Sequence, residues 1–341
     1  MSTMSTERDI YLSFFMFTTN LRPGDTTYAK VIAGHIRELR GLGYKGFDLP
    51  VFPAATSDHR AEIEAYTDLK RELDRAGLDD VGFTTNVAAT TEFDPAAPDP
   101  ANRRQAIAYL KSRVDITAAL GGSIMAGPIV FPYNVFPRAK SGQPLWSDAL
   151  QDWARPGYLD AQPVLDEVGE YAGQRNVKLA IEPVDHWETP VPNMIGDVLS
   201  FLAGVQSHQV GVCVDIAHVV LGSSGPETFK RQVREVAAAD RLNYVQVSAP
   251  DRGAIADSWI PWHVLLPAVL PRYKGPLLIE IFNAIQAFLT PLHLTRRKFW
   301  IPGEDEPVAG VPDAYTVAGE AIDALEKQLS DYTEIRGEGT R

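Results

Sequence analysis

Short apolar runs alternate along the chain with longer amphipathic segments, and the alternation repeats eight times. The runs at residues 10–18 (IYLSFFMFT), 46–50 (GFDLP), 81–86 (VGFTTN), 123–126 (SIMA), 178–181 (KLAI), 210–215 (VGVCVD), 242–247 (LNYVQV) and 277–281 (LLIEI) read as buried strands. Helical spacing follows at 26–42, 57–76, 100–120, 159–175, 193–206, 226–239, 261–270 and 312–329, with Asp25 placed to cap the first helix and Gly43 to stop it. Thr18, Thr19 and Asn20 lead the first strand into a loop. No break in composition interrupts this order. It therefore predicts one α/β domain over residues 1–341, a (β/α)8 TIM barrel. A doubly wound open sheet is the alternative, but no G-x-G-x-x-G follows the first strand, which weakens its dinucleotide-binding form.

One segment breaks the rhythm. Residues 127–156 (GPIVFPYNVFPRAKSGQPLWSDALQDWARP) are rich in proline and aromatic residues and too long for a plain connector. A lid or binding loop inserted after the fourth strand is expected there; a surface excursion or a subunit contact is the other reading.

Composition narrows the function classes. Of 341 residues, 45% are hydrophobic and 22% charged, ordinary for a globular chain. The net charge of −12 argues against a nucleic-acid partner, because phosphate contacts need a basic face. A single cysteine, Cys213, rules out an internal disulfide and any cysteine-based metal site. The opening MSTMSTERDI has no apolar leader, and no run approaches the ~20 apolar residues of a membrane span, so a cytoplasmic protein is expected.

The chemistry gathers where strands end. Leu179, Ala180 and Ile181 deliver Glu182, and Pro183, which cannot donate to a sheet ladder, stops the strand. Asp215 closes the sixth strand, Gln246 lies in the seventh and Glu280 in the eighth. A buried strand-end carboxylate is unfavourable unless something positive meets it. Two glutamates, one aspartate and one amide oxygen on four strands read as a site for a hard cation. His218 stands three residues after Asp215, Glu188 six after Glu182 and Arg252 six after Gln246. His186 and His218 are candidate bases beside Glu182 and Glu280. Each residue also has a structural alternative: ion pairing for Glu182 and Glu280, a core amide for Gln246, a surface position for Arg252, a satisfied core histidine for His218. Asp215 could cap a helix, although IAHVVL does not look like a clear helix start. Trp187, Trp259 and Trp262 fall near strand ends and could wall a pocket or pack the core. His35, His59 and His208 read as surface residues.

Together, IEPVDHWE, VGVCVDIAH, VQVSAPDR and GPLLIEIF resemble the xylose-isomerase-like sugar isomerase/epimerase superfamily and, within it, the ketose 3-epimerases. That resemblance implies manganese, magnesium or cobalt held by Glu182, Asp215 and Glu280, with Glu188, His218 and Arg252 on the sugar. It also implies that Glu182 and Glu280 can act as both ligand and base. The chain departs from the epimerases at Gln246, which stands where they carry a metal-binding histidine. An amide oxygen beside three carboxylates still suits Mn²⁺ or Mg²⁺ and suits zinc less. The opening LSFFMFTTNLRPGD and the strand GFDLP are similar to the large (alpha) subunit of the C-glycoside deglycosidases. This narrower resemblance implies a Mn²⁺-dependent lyase that cleaves 3-keto C-glycosides by elimination, in a hetero-oligomer with a small beta subunit. A ketose 3-epimerase or sugar isomerase is the alternative, and a metal-free sugar-binding barrel a further one. A zinc endonuclease on the same barrel is disfavoured by the negative charge.

Overall fold

The computed structural model describes residues 8–17, 22–51, 58–222, 225–282 and 299–338; the loop expected at 18–20 lies outside them. Eight parallel strands close into a barrel in sequence order: β1 (Ile10–Ser13), β2 (Gly46–Pro50), β3 (Gly82–Asn86), β4 (Ile124–Gly127), β5 (Lys178–Ile181), β6 (Val210–Asp215), β7 (Leu242–Ser248) and β8 (Leu277–Glu280). β8 closes on β1 by pairing Ile10 with Leu277 and Leu12 with Ile279. The helices around it are α1 (Tyr28–Gly41), α2 (His59–Arg75), α3 (Pro100–Ala119), α4 (Ser147–Gly173), α5 (Ile195–Leu202), α6 (Ile216–Gly222), α7 (Pro226–Ala238), α8 (Trp262–Val269) and α9 (Ala314–Glu338). This is the α/β TIM barrel that the alternation predicts. Among the described residues no helix is long and apolar enough to cross a membrane.

Register decides what faces the barrel interior. In β7 all side chains from Asn243 to Ser248 are buried, and Tyr244, Gln246 and Ser248 share one face of the strand. The Tyr244 hydroxyl reaches across the barrel to Thr84 of β3 at 2.8 Å, and Thr84 donates to Asp48 of β2 at 2.6 Å. One layer higher, Asp215 pairs in register with Gln246, and Ser248 pairs with Glu280. Near the opposite end the Tyr11 ring lies over Gly46 and Gly82; a Cβ on Gly46 would come within 2.4 Å of it. Glycine is required there because the ring occupies the space of its side chain.

Three differences from the sequence reading bear on the site and its surroundings. β1 ends at Ser13 because the Ser13 hydroxyl accepts from Phe15 N at 3.2 Å and turns the chain into a single 3-10 turn, Phe14–Met16. That turn sends Phe15 toward the barrel mouth, while Phe14 and Phe17 pack against His35. α4 starts at Ser147, not 159, so the irregular part of the insertion after β4 ends at residue 146. Pro156 would ordinarily break a helix. Here Ala154 is buried and Gly157 lets the Phe131 ring approach to 2.7 Å of a would-be Cβ, with Trp153 5.4 Å from the same ring. Tertiary packing carries the helix through. Finally, IAHVVLG is helical: Asp215 Oδ1 accepts from Ala217 N at 2.6 Å and starts α6.

Candidate active site

The C-terminal ends of the strands form one mouth, where TIM barrels carry their chemistry. A cavity opens there, with Glu182, Glu188, His218, Arg252 and Glu280 in its lining. Glu182 follows the last residue of β5, and its N–H still bonds Gly127 O at 3.0 Å before Pro183 ends the ladder. A tight turn then brings Glu188 back: its N–H donates to Asp185 O at 2.8 Å, and its Oε2 accepts from Asp185 N at 3.3 Å. α6 carries His218 over Glu182, with Nε2 3.2 Å from Glu182 Oε1. Arg252 sits beyond β7 with a φ of +59°, a left-handed conformation that is uncommon for a residue with a side chain. Its carbonyl is held by Phe282 N at 3.0 Å, and its guanidinium lies 3.0 Å from Asp215 Oδ2, 3.6 Å from Glu280 Oε2 and 3.8 Å from Glu188 Oε2.

All of these carboxylates are buried, and burial together with the neighbouring charges sets their protonation. Burial pushes the Glu182 carboxyl up against the opposing pull of His218. Burial, then the neighbouring Glu182 and Asp215 charges, pushes Glu280 well above the usual carboxylate range. Burial acts the same way on Asp215, but His218 and Arg252 outweigh it and hold that carboxyl at about 2. The two shifts run in opposite directions, so Glu280 is the more readily protonated of the Asp215–Glu280 pair. Burial and the Arg252 guanidinium oppose protonation of His218; Asp215, Asp185 and Glu182 overcome them and push the ring up to about 10. Yet the Arg252 Nη2 lies 2.6 Å from His218 Nε2, a contact that needs a lone pair on that nitrogen. A cation held among Glu182, Asp215 and Glu280 would remove most of the push on the ring and leave the Nε2 lone pair to Arg252.

Two features test the fit of a cation. Glu280 Oε2 is buried with no hydrogen-bond partner. The amide end of Gln246 lies 3.1 Å from Glu182 Oε1 and 3.3 Å from Asp215 Oδ2. With its nitrogen toward them it donates to both. With its oxygen toward them it adds a further oxygen to the cluster, which is stable only around positive charge. Suitable atoms of Glu182, Asp215 and His218 lie within 4.8 Å of one another. The donors fit a hard divalent cation.

Of the residues singled out in the sequence, Glu182, Glu188, Asp215, His218, Gln246, Arg252 and Glu280 converge. His186 does not: it is exposed, with its ring 5.0 Å from Trp187. Trp187 and Trp259 are also exposed and, like Trp262, line no part of the cavity. Its apolar wall is Phe15 against Phe282, ring centroids 4.9 Å apart, with Tyr133 opposite Glu188 at 3.4 Å. His35, expected at the surface, is buried between Tyr315 at 2.8 Å and Glu304 at 3.0 Å. Asp185, Tyr133 and Asn86 were not legible as site residues. Asp185 could have been found from its place inside the turn that separates Glu182 from Glu188; Tyr133 and Asn86 carry no local signal.

A closed parallel barrel with acidic residues converging at its C-terminal mouth is a TIM barrel whose mouth offers the ligands of a divalent cation. Residues 36–299 match the xylose isomerase-like TIM barrel family, and the chain belongs to it. A solved protein of Anabaena variabilis, which its solvers call a candidate sugar phosphate isomerase/epimerase, is 52% identical over 95% of this chain and 99% of its own, with a TM-score of 0.92. The L-ribulose 3-epimerase of a Methylomonas species is 23% identical, covering 80% of this chain and 88% of its own. The ketose 3-epimerase of Arthrobacter globiformis is 22% identical, covering 70% and 74%.

Proposed function

We propose that this protein is a divalent-metal-dependent sugar epimerase that moves a proton on the carbon beside a ketose carbonyl. The observation that carries the reading is the pair Glu182 and Glu280. They rise from β5 and β8 into one cavity, so that a substrate carbon held between them can lose a proton to one and receive a proton from the other. A cation held by Glu182, Asp215, Gln246 and Glu280 would supply charge stabilisation at the sugar oxygens. Mn²⁺ suits this oxygen-rich set, with Mg²⁺ or Co²⁺ as substitutes. Glu188, His218 and Arg252 orient the hydroxyls, and Phe15 and Phe282 close the wall against water. One carboxylate takes the proton from one face of the carbon, and the other acid returns a proton to the opposite face. The two relatives named as 3-epimerases support this reaction. Arg252 is the one permanent cation in the described lining, and three carboxylates already face it, which favours an unphosphorylated sugar.

The same acid–base pair supports a second reading, elimination from a 3-keto C-glycoside with a small beta subunit as partner. It is favoured by the Phe15–Phe282 wall, which suits a flat aromatic group. One experiment separates the two. The protein is incubated with Mn²⁺ in D₂O with free ketopentoses and ketohexoses, and in parallel with a 3-keto C-glucoside of an aromatic aglycone. Deuterium at the ketose carbon together with a new epimer is the expected result, and Glu182→Gln or Glu280→Gln should lower the rate ~10²–10⁴-fold. Aglycone release without exchange in the ketoses would replace this reading with the lyase.

A further inference from the structure

Asp185 is 2% exposed, and neither of its oxygens has a hydrogen-bond partner; His218 Nδ1 lacks one as well. The two groups lie 3.1 Å apart, Nδ1 to Oδ2. At 3.1 Å the two are at ion-pair distance without hydrogen-bond alignment, and since neither atom has another hydrogen-bond partner, a small rotation of the ring would close the bond between them. From these contacts we infer that Asp185 is a positioning residue. It fixes the proton of His218 on Nδ1 and so turns Nε2 toward Glu182 and Arg252. The inference rests on the proposed function only for what His218 then does to the substrate.

The local chain supports it. Asp185 heads the turn that returns Glu188 to the cavity. The turn is braced from behind by Asn193, whose amide donates to Val184 O at 2.8 Å and Thr189 O at 3.0 Å. Asp185 is therefore held at a fixed place against α6, while His218 is carried there by the helix that Asp215 starts. Nε2 lies 3.2 Å from Glu182 Oε1 and 2.6 Å from Arg252 Nη2, and the cavity is lined by all three residues. A ring free to flip would present Nδ1 there instead, with its proton in the wrong place for the Arg252 contact. Fixing a histidine through its second nitrogen is a general way to set which atom faces the chemistry. The same atoms could alternatively form a second cation site, since Asp185, Glu188 and His218 also offer ligand atoms within 4.8 Å of one another.

The test uses the full chain, with diamagnetic Mg²⁺ for the ring signals and Mn²⁺ for titration and turnover, and makes three measurements on Asp185→Leu and Asp185→Asn. With histidine ring nitrogens labelled, wild type should show an Nδ1-protonated, hydrogen-bonded His218, assigned by its loss in His218→Gln. That signal should disappear in Asp185→Leu and survive in Asp185→Asn, which keeps an acceptor oxygen. Mn²⁺ titration should give one ion per chain in all three proteins with unchanged affinity. Turnover of the best ketose should fall about 10–100-fold in kcat for Asp185→Leu, with a smaller change in KM and recovery in Asp185→Asn. An Nε2-protonated ring in wild type, or a signal unaffected by Asp185→Leu, overturns the inference. So do two Mn²⁺ per chain falling to one in Asp185→Leu, which would make Asp185 a ligand. If wild type turns over no ketose, the epimerase reading fails, and the ring signal and the Mn²⁺ titration still decide the role of Asp185.

Discussion

At the scale of single residues, the barrel interior holds a carboxyl that the catalytic proposal does not use. Asp48 is fully buried, accepts from Thr84 through one oxygen and has no partner for the other. Burial is the main cause that pushes it from the ordinary 3.8 up to about 7; Thr84 opposes, and the Glu182 charge adds to the rise. The sign follows from linkage. Between about pH 4 and 7 the folded chain keeps a proton that the unfolded chain has released, so stability falls as pH rises through this window and is level outside it. Three units correspond to about 4 kcal/mol. Asp48→Asn should remove that slope and leave the protein more stable than wild type at pH 8. Urea unfolding at pH 5 and pH 8 checks it, and equal slopes in both proteins would refute it. Residue by residue, Glu182, Asp215 and Glu280 were legible because a carboxylate at the end of an apolar run has few explanations other than a site. His186 was equally suggestive in the sequence, but it sits on the outer side of the turn whose inner side carries Asp185 and Glu188.

At the scale of elements, the insertion after β4 depends on how its first residue leaves the sheet. Gly127 has a φ of +128°, and a Cβ there would lie 2.1 Å from Val87 O. The chain beyond it is tied down by Tyr133 N to Ala89 O at 2.9 Å and Asn134 N to Glu188 O at 2.7 Å. These bonds place Tyr133 at the cavity. Gly127→Ala should therefore destabilise the fold by ~1–3 kcal/mol, seen as a Tm lowered by several degrees, and should also raise KM. An unchanged Tm would show that the exit from β4 is not constrained in this way. The strand ends and the α4 start show the limit of local reading. Ser13 and Asp215 each capture a backbone N–H with a side-chain oxygen, which turned one expected strand into a 3-10 turn and one unlikely stretch into a helix. Pro156 reads as a stop, yet contacts with Phe131, distant from α4 in the fold's local order, override it.

For the whole molecule, the cavity is a charge problem that spans four strands. Three buried carboxylates that meet a single permanent cation in the described lining, Arg252, repel one another, and a bound divalent ion should relieve them. Saturating Mn²⁺ should raise the Tm, by about 2.7 kcal/mol of stabilisation at a hundred times its Kd, and EDTA should reverse the shift. The effect should grow with pH, because Glu182 and Glu280 must lose protons to bind the ion and both hold them tightly. Asp215→Asn should abolish the shift and Asp48→Asn should keep it. No Mn²⁺ response at any pH would leave the sugar-binding reading standing without metal. The amino-acid sequence by itself determined the barrel, because the alternation of strands and helices, the polarity of each face and the proline at the end of β5 are properties of neighbouring residues. It also determined which oxygen donors end the strands. Only the tertiary structure decided that Asp185 meets His218, that His186 is left outside, and that Arg252 rather than a further metal ligand balances the carboxylates. Those contacts join β5, α6 and the loop after β7, and their geometry exists only once the barrel has closed.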